Sequence, residues 1–308
     1  MSKVTLVGAG GVGSQIAAYL ALKNCADEIV LVDIVEGVPQ GKALDLQQSC
    51  ALTNSNVKII GSNDYAPTKD SDVVVITAGL PRKPGMSRDD LVEVNSKIIT
   101  AVISEVIKYS PNSILILVTN PLDAMVKLAY QLSGFQKHRV MGMAGVLDSS
   151  RFKTLLALES GAKMENVEAM VLGGHGDSMV PVISNCKING TPITKIISAE
   201  KISQIVEKTR NGGAEIINLL KNGSTIFAPA LSIAEMVDTI LTDNKKILPC
   251  SVLLEGEYGI NDLFIGVPVR LGRNGVEEII ELKLTEDEKE AFQKSVQHIQ
   301  QLTAKIKT

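Results

Sequence analysis

Short apolar runs rich in β-branched residues recur through the first half of the chain. They lie at Lys3–Val7 (KVTLV), Glu28–Asp33 (EIVLVD), Val57–Gly61, Asp72–Thr77 (DVVVIT), Ser113–Thr119 (SILILVT) and Arg139–Met143. Such runs read as buried strands. Helical spacing fills the gaps: Ile16, Ala17, Leu20 and Ala21 share one face, and so do Leu91, Val94, Ile98, Val102 and Val106. Strands that alternate with helices and are apolar throughout predict a parallel sheet covered on both faces. In such sheets ligands bind beyond the carboxyl ends of the strands. The segments at those ends are GAGGVG, Thr77-Ala78-Gly79 and Thr119-Asn120-Pro121.

From Met143 the alternation weakens. A helix is expected where Asp148 and Arg151 stand at i and i+3, and strand-like runs at Val167–Leu172 and Met179–Ile188. Asn189-Gly190 is a hairpin turn signal. A helix from about Ser198 to Lys221 should be broken or kinked at Gly212-Gly213 and closed by Asn222-Gly223. A further helix spans Thr225–Thr242, with Pro229 near its first turns. Residues 247–282 read as antiparallel strands turning at Gly256, Gly259 and Asn274-Gly275. Thr285 to Glu288 forms a capping box for a last helix with Phe292, Val296, Ile299, Leu302 and Ile306 on one face. The pattern thus predicts two domains, residues 1–143 and 144–308.

Composition narrows the class. With 308 residues, 45% hydrophobic and 21% charged, the chain is globular. Its 31 basic and 34 acidic residues, without a Lys/Arg run, argue against a nucleic-acid surface. No apolar run reaches membrane-spanning length. The start Met-Ser-Lys enters a strand directly, without a signal-peptide or presequence pattern. The four cysteines are scattered, with no CxxC, so neither a zinc site nor a disulfide framework is suggested. A soluble, cytoplasmic protein is expected.

Gly8, Gly10 and Gly13 have GxGxxG spacing, and a glycine-rich turn alone says little. Here a strand precedes it, a helix follows, and Asp33 ends the next strand twenty residues beyond Gly13. That context is a dinucleotide-binding fingerprint. Gly8 permits the tight turn, Gly10 close approach to the pyrophosphate, and Gly13 tight helix–strand packing. Asp33 suits ribose hydroxyls and would repel a 2′-phosphate. Ile34 and Val35 offer no cation to hold one, so NAD is preferred over NADP. The expected fold class is α/β, a Rossmann-type doubly wound parallel sheet followed by a mixed α+β catalytic domain.

After the fourth strand comes LPRKPGMSRDDL, with Ser87 as a helix N-cap. Arg82, Lys83 and Arg88 suit a lid over an anionic substrate, although a solvated basic loop reads equally well. VLGGHGDSMVP holds His175, one of three histidines. Histidine takes and gives protons near neutral pH. A lone histidine in a tight turn is nevertheless more often structural, and Asp148 with Arg151 reads alone as an N-cap and a surface cation.

Together GAGGVG, LVDI, TAGLPRKPGMSRDDL, VTNPLD, LDSSR, GGHGDSMVP and GSTIFAPA, in this order and nearly end to end, resemble the lactate/malate dehydrogenase family, in particular its lactate-dehydrogenase-like malate dehydrogenases. The resemblance implies that His175 is the acid/base and Asp148 its partner. Arg151 would hold the substrate C1 carboxylate, Arg88 would polarise the carbonyl, and Asn120 would bond near substrate and nicotinamide. It implies cofactor contacts at Gly8, Gly10, Gly11, Val12, Gly13, Asp33, Thr77, Ala78, Gly79, Asn95, Val118 and Asn120, and no metal. Arg82 would meet the second carboxylate of a dicarboxylate. Lactate enzymes of the family usually carry Gln there. Facing a methyl group, an unpaired buried Arg costs on the order of several kcal/mol. Thr225 departs from the Ala usual in malate enzymes and narrows the pocket. The resemblance implies NAD-dependent malate oxidation by a homotetramer or homodimer. The alternatives are a lactate or broader 2-hydroxy-acid dehydrogenase and a non-catalytic NAD-binding sensor.

Overall fold

The computed structural model describes residues 1–81, 88–221 and 223–306 and, of Arg88 and Asp89, the backbone alone. The expected N-cap Ser87, the cations Arg82 and Lys83, and Asn222 lie outside the described residues.

The six apolar runs form strands β1 (Lys3–Val7), β2 (Glu28–Val32), β3 (Lys58–Ser62), β4 (Val73–Ile76), β5 (Ile114–Leu117) and β6 (Val140–Met143). They pair in parallel in the order β3-β2-β1-β4-β5-β6. Every residue of β4 and β5 is buried, as two-sided coverage requires. Helices α1 (Gly11–Lys23), α2 (Val38–Thr53), α3 (Arg88–Tyr109) and α4 (Leu122–Ser133) connect them. Several strands stop short of the expected carboxyl end. Asp33, Thr77 and Thr119 fall in the loops beyond, where their side chains bond to neighbouring backbone.

The second half comprises α5 (Gly145–Ser160), β7 (Val167–Glu168), β8 (Val171–Gly173), β9 (Met179–Pro181), β10 (Lys187–Ile188), β11 (Thr191–Pro192), α6 (Ala199–Leu220), α7 (Phe227–Thr242), β12 (Ile247–Glu255), β13 (Asn261–Gly272), β14 (Gly275–Ile279) and α8 (Glu286–Thr303). Its main strands extend the same sheet. β12 pairs antiparallel with β6, Ser251 opposite Gly142, and the order continues β12-β13-β8-β9 with β14 beside β13. β11-β10-β7 form a small separate sheet.

Four local expectations change. Val167–Leu172 divides into β7 and β8, which join different sheets. Met179–Ile188 is not one strand: β9 ends at Pro181, which lacks an N–H for the ladder, and a 3-10 turn at Ile183–Asn185 leads to β10. α7 begins at Phe227, so Thr225 precedes the helix. α6 runs unbroken through Gly212 and Gly213. Glycine weakens a helix by about 1 kcal/mol but keeps its N–H, so packing can hold the helix through it. Here the pair lies against Arg151: a Cβ at Gly213 would come 3.4 Å from its guanidinium.

Two apolar layers sandwich the sheet. On one face Ile16 and Leu20 of α1 pack with Ile233, Val237 and Ile240 of α7, so a helix from the second half packs on a helix of the first. On the other, Ile99 and Ile103 of α3 and Met125 of α4 cover Val74, Ile76, Leu115 and Leu117. Each such buried side chain contributes roughly 1.5–3 kcal/mol. A third cluster, with Phe152, Leu156, Ile202 and Ile205, joins α5 to α6.

Candidate active site

β1, β4, β5 and β6 are neighbours in the sheet, so the segments leaving their carboxyl ends lie side by side. After β1 the chain turns at Gly8, whose φ of +105° disfavours any side chain. Thr77, after β4, secures the turn by donating from Oγ1 to the Val7 and Gly8 carbonyls at 3.1 and 3.0 Å. A Cβ at Gly13 would lie 1.9 Å from the Gly8 oxygen, which explains the third glycine. A Cβ at Gly10 would meet nothing within 4 Å. That room faces the start of α1, which has no side-chain cap and no acidic residue in its first turn. Its N–H groups, including those of Gly11, Val12 and Gly13, are therefore available to an anion.

Asp33 sits beside this turn. Its Oδ2 accepts from Ala9 N at 2.7 Å and its Oδ1 from Val35 N at 3.0 Å, and each oxygen keeps a further lone pair. Open space at Gly10, uncapped helix donors and a fixed carboxylate fit the pyrophosphate and ribose of NAD. Thr225 is half-buried just before α7, and the next residue, Ile226, closes on the glycine loop, 2.8 Å from where a Gly11 Cβ would sit. Lys42 of α2 also reaches this loop, bonding to Ala9 O and to Ser14 Oγ at 2.9 Å. No local pattern marks Lys42, because only the fold brings α2 there.

Ala78 and Gly79 continue from Thr77, and Val118 and Asn120 leave β5. Asn95 of α3 is fully buried and ties these segments together. It accepts from Leu80 N at 2.8 Å and donates to Asn120 O at 2.7 Å and Leu80 O at 3.2 Å. Its amide is thus spent on the backbone of the loops it joins. Arg82 lies outside the described residues, and Arg88 opens α3.

His175 arrives from the turn between β8 and β9, and Asp148 from the first turns of α5, just past β6. His175 Nδ1 and Asp148 Oδ2 are 2.9 Å apart. Asp148 is 1% exposed and the His175 side chain 17%. A carboxylate at Nδ1 selects the tautomer with its proton there and leaves Nε2 to exchange one. Arg151 Nη1 bonds the other Asp148 oxygen at 3.3 Å. The i, i+3 spacing thus joins imidazole, carboxylate and guanidinium in one cluster. Burial opposes a charge on His175, yet Asp148 outweighs it and holds the imidazole's proton affinity above the ordinary histidine value.

The histidine turn has further supports from residues distant in the chain. Gly174 N donates to Ser295 Oγ of α8 at 2.8 Å. His175 N donates to Asp123 Oδ2 of α4 at 3.4 Å. Asp123 lies within VTNPLD, three residues after Asn120, but an aspartate at a helix start reads by default as helix-end chemistry. Among the described residues no group of three or more His, Cys, Asp or Glu side chains is arranged to hold a metal ion, and no helix is long and apolar enough to cross a membrane.

Comparison with known proteins agrees over the whole chain. Residues 2–142 match the lactate/malate dehydrogenase NAD-binding domain, and residues 145–308 match that family's alpha/beta C-terminal domain. A malate dehydrogenase of Pelodictyon phaeoclathratiforme is 54% identical over 95% of this chain and 94% of its own. The crystal structure of Cryptosporidium parvum malate dehydrogenase superposes with a TM-score of 0.95 at 47% identity, covering 98% of each chain. Lactate dehydrogenase from the same organism, complexed with lactic acid and the cofactor, gives 0.95 at 42% identity over 98% of this chain and 97% of that one. The glycine-loop fold, the histidine–aspartate pair and these end-to-end matches converge: the chain belongs to the lactate/malate dehydrogenase family.

Proposed function

We propose that the chain is an NAD-dependent malate dehydrogenase that interconverts (S)-malate and oxaloacetate. The observation that carries this reading is the 2.9 Å His175–Asp148 pair with Arg151 on the same carboxylate, at the carboxyl end of a dinucleotide-binding sheet. When bound, NAD supplies the acceptor for the hydride of malate C2. His175 Nε2 takes the hydroxyl proton as that hydride leaves, and returns it to the ketone oxygen in the reverse direction. Asp148 stabilises the imidazolium and keeps Nδ1 protonated. Arg151 grips the C1 carboxylate through its planar fork. Arg88 stabilises charge on the reacting oxygen, and Asn120 orients it.

Gly8, Gly10, Gly11, Val12, Gly13, Asp33, Thr77, Ala78, Gly79 and Val118 line the cofactor site in this reading, braced by Asn95. Arg82 receives the second carboxylate, and Thr225 narrows that end. The protein acts in the cytoplasm as a homotetramer or homodimer, with no nucleic-acid or membrane partner.

Initial rates of NADH oxidation with oxaloacetate and with pyruvate, on wild type and Arg82→Gln, test the substrate. A strong wild-type preference for oxaloacetate that falls by on the order of a hundredfold or more in the variant is expected. Equal rates in wild type, or a pyruvate preference, would mean that Thr225 and pocket shape dominate, making the protein a lactate or broader 2-hydroxy-acid dehydrogenase.

A further inference from the structure

Two buried aspartates, on helices that follow adjacent strands, hold the same turn. Asp148, after β6, takes the imidazole of His175. Asp123, the second residue of α4 after β5, takes its backbone N–H at 3.4 Å. The other oxygen of Asp123 accepts from Ser251 Oγ at 2.7 Å. Ser251 is fully buried on β12, opposite Gly142 of β6. One carboxylate therefore links the segment carrying Asn120, the strand joining the two halves of the sheet, and the turn carrying His175.

We propose that Asp123 is a positioning residue for proton transfer: its carboxylate, anchored by Ser251, fixes the turn that presents His175 and adds a second negative charge behind the imidazole. The inference rests on the reading of His175 as the acid/base.

Other groups facing His175 define the electrostatics. α5 contributes Asp148 and Arg151, and α4 contributes Asp123. Behind them the neutral hydroxyl of Ser295 on α8 bonds Gly174 N and that of Ser251 on β12 bonds Asp123, and Asp177 follows His175 along the turn. Asp123 and Asp148 favour the imidazolium, while Arg151 opposes it. Burial pushes the Asp123 carboxyl up to about 6, against the hydrogen bonds from Ser251 and His175. For a carboxyl raised on folding, the associated stability is present below its unfolded value and lost as pH rises through the folded one. At neutral pH the ionised group therefore weakens the fold, so its charge is retained against stability.

The test is the pH profile of kcat/KM for oxaloacetate reduction, which needs protonated His175. In Asp123→Asn the alkaline limb is expected about one pH unit lower, so activity well above both limbs falls about tenfold. NADH binding, read by fluorescence titration, is expected to be unchanged and the melting temperature no lower than wild type. A limb at the wild-type position overturns the proposal. So does a lowered melting temperature without a shifted limb, which marks a structural role alone. Should Asp123→Asn not melt cooperatively, Ser251→Ala takes its place. Losing that hydrogen bond favours the neutral form of Asp123, so the limb moves in the same direction by less; an unmoved limb overturns the proposal. His175→Asn is run alongside. If it turns over oxaloacetate like wild type, the acid/base reading itself fails. If it is inactive while Asp123→Asn is unshifted, only the positioning role fails.

Discussion

Two opposing effects set the proton affinity of His175. Taking an imidazole out of water favours its neutral form, while the Asp148 carboxylate 2.9 Å from Nδ1 favours the charged one and prevails. Oxaloacetate reduction should therefore hold its rate to a pH above the ordinary histidine value of about 6.5 and then fall. Malate oxidation, which needs the neutral ring, should rise through the same pH. Replacing Asp148 with Asn should move both limbs towards acid, which pH–rate profiles in the two directions will read. His175→Asn should lower kcat by about 10²–10⁴ while NADH still binds. The pair also links to stability. A histidine whose value is raised on folding contributes most below its unfolded value, and that contribution is lost as pH rises through the folded one. Asp148, Arg151 and His175 were singled out only by the resemblance of their motifs to a family, since each alone reads as structural, and the fold brings the three together. Asp123 was not, because its meaning depends on Ser251 and His175, far away in the chain.

Among the elements, the helices whose ends carry their own signals follow the sequence best. α8 is capped by Thr285, with Thr285 and Glu288 exchanging the two bonds of a capping box. Glu288 does more, accepting from Ser184 N at 2.9 Å and Ser184 Oγ at 2.7 Å, and so ties α8 to the chain after β9. Burial opposes its charge, but these donors and Thr285 hold it below the ordinary glutamate range. Glu288→Gln should cost about 1–2 kcal/mol of stability at neutral pH. A depressed carboxyl contributes above its unfolded value and loses that contribution as pH falls through its folded one. The gap to wild type should therefore close below about pH 4, as urea titrations at two pH values will measure. α6 is the opposite case. Its glycine pair predicted a break, yet the helix runs through it, with Arg151 packed beside the two glycines.

At the scale of the molecule, one sheet serves both halves. β12 attaches to β6 by a short antiparallel ladder, and α7 packs against α1 of the nucleotide-binding half. This arrangement brings Ser251, Asp123 and His175 together. It also leaves large apolar side chains uncovered: Leu219 is 75% and Phe227 69% exposed, with Leu220 and Leu231 also exposed, on α6 and α7. Such a surface fits contact with a second copy of the chain. Sedimentation velocity at micromolar concentration should give a dimer or tetramer. Replacing Leu219 and Phe227 with Asp should shift it towards monomer, and an unchanged distribution would place the contact elsewhere.

Local rules sufficed for much of this protein. β-branched runs became the parallel strands because an extended, two-sided buried segment needs little beyond its own composition. The glycine loop was legible because a left-handed Gly8 and a side-chain-free Gly13 are requirements of backbone geometry that only glycine meets. Strand limits, the unbroken α6, the joined sheet and the second aspartate behind His175 were decided only in three dimensions. Each depends on a partner distant in sequence, and such pairing energies are set by where the fold brings the groups, not by the spacing of residues along the chain.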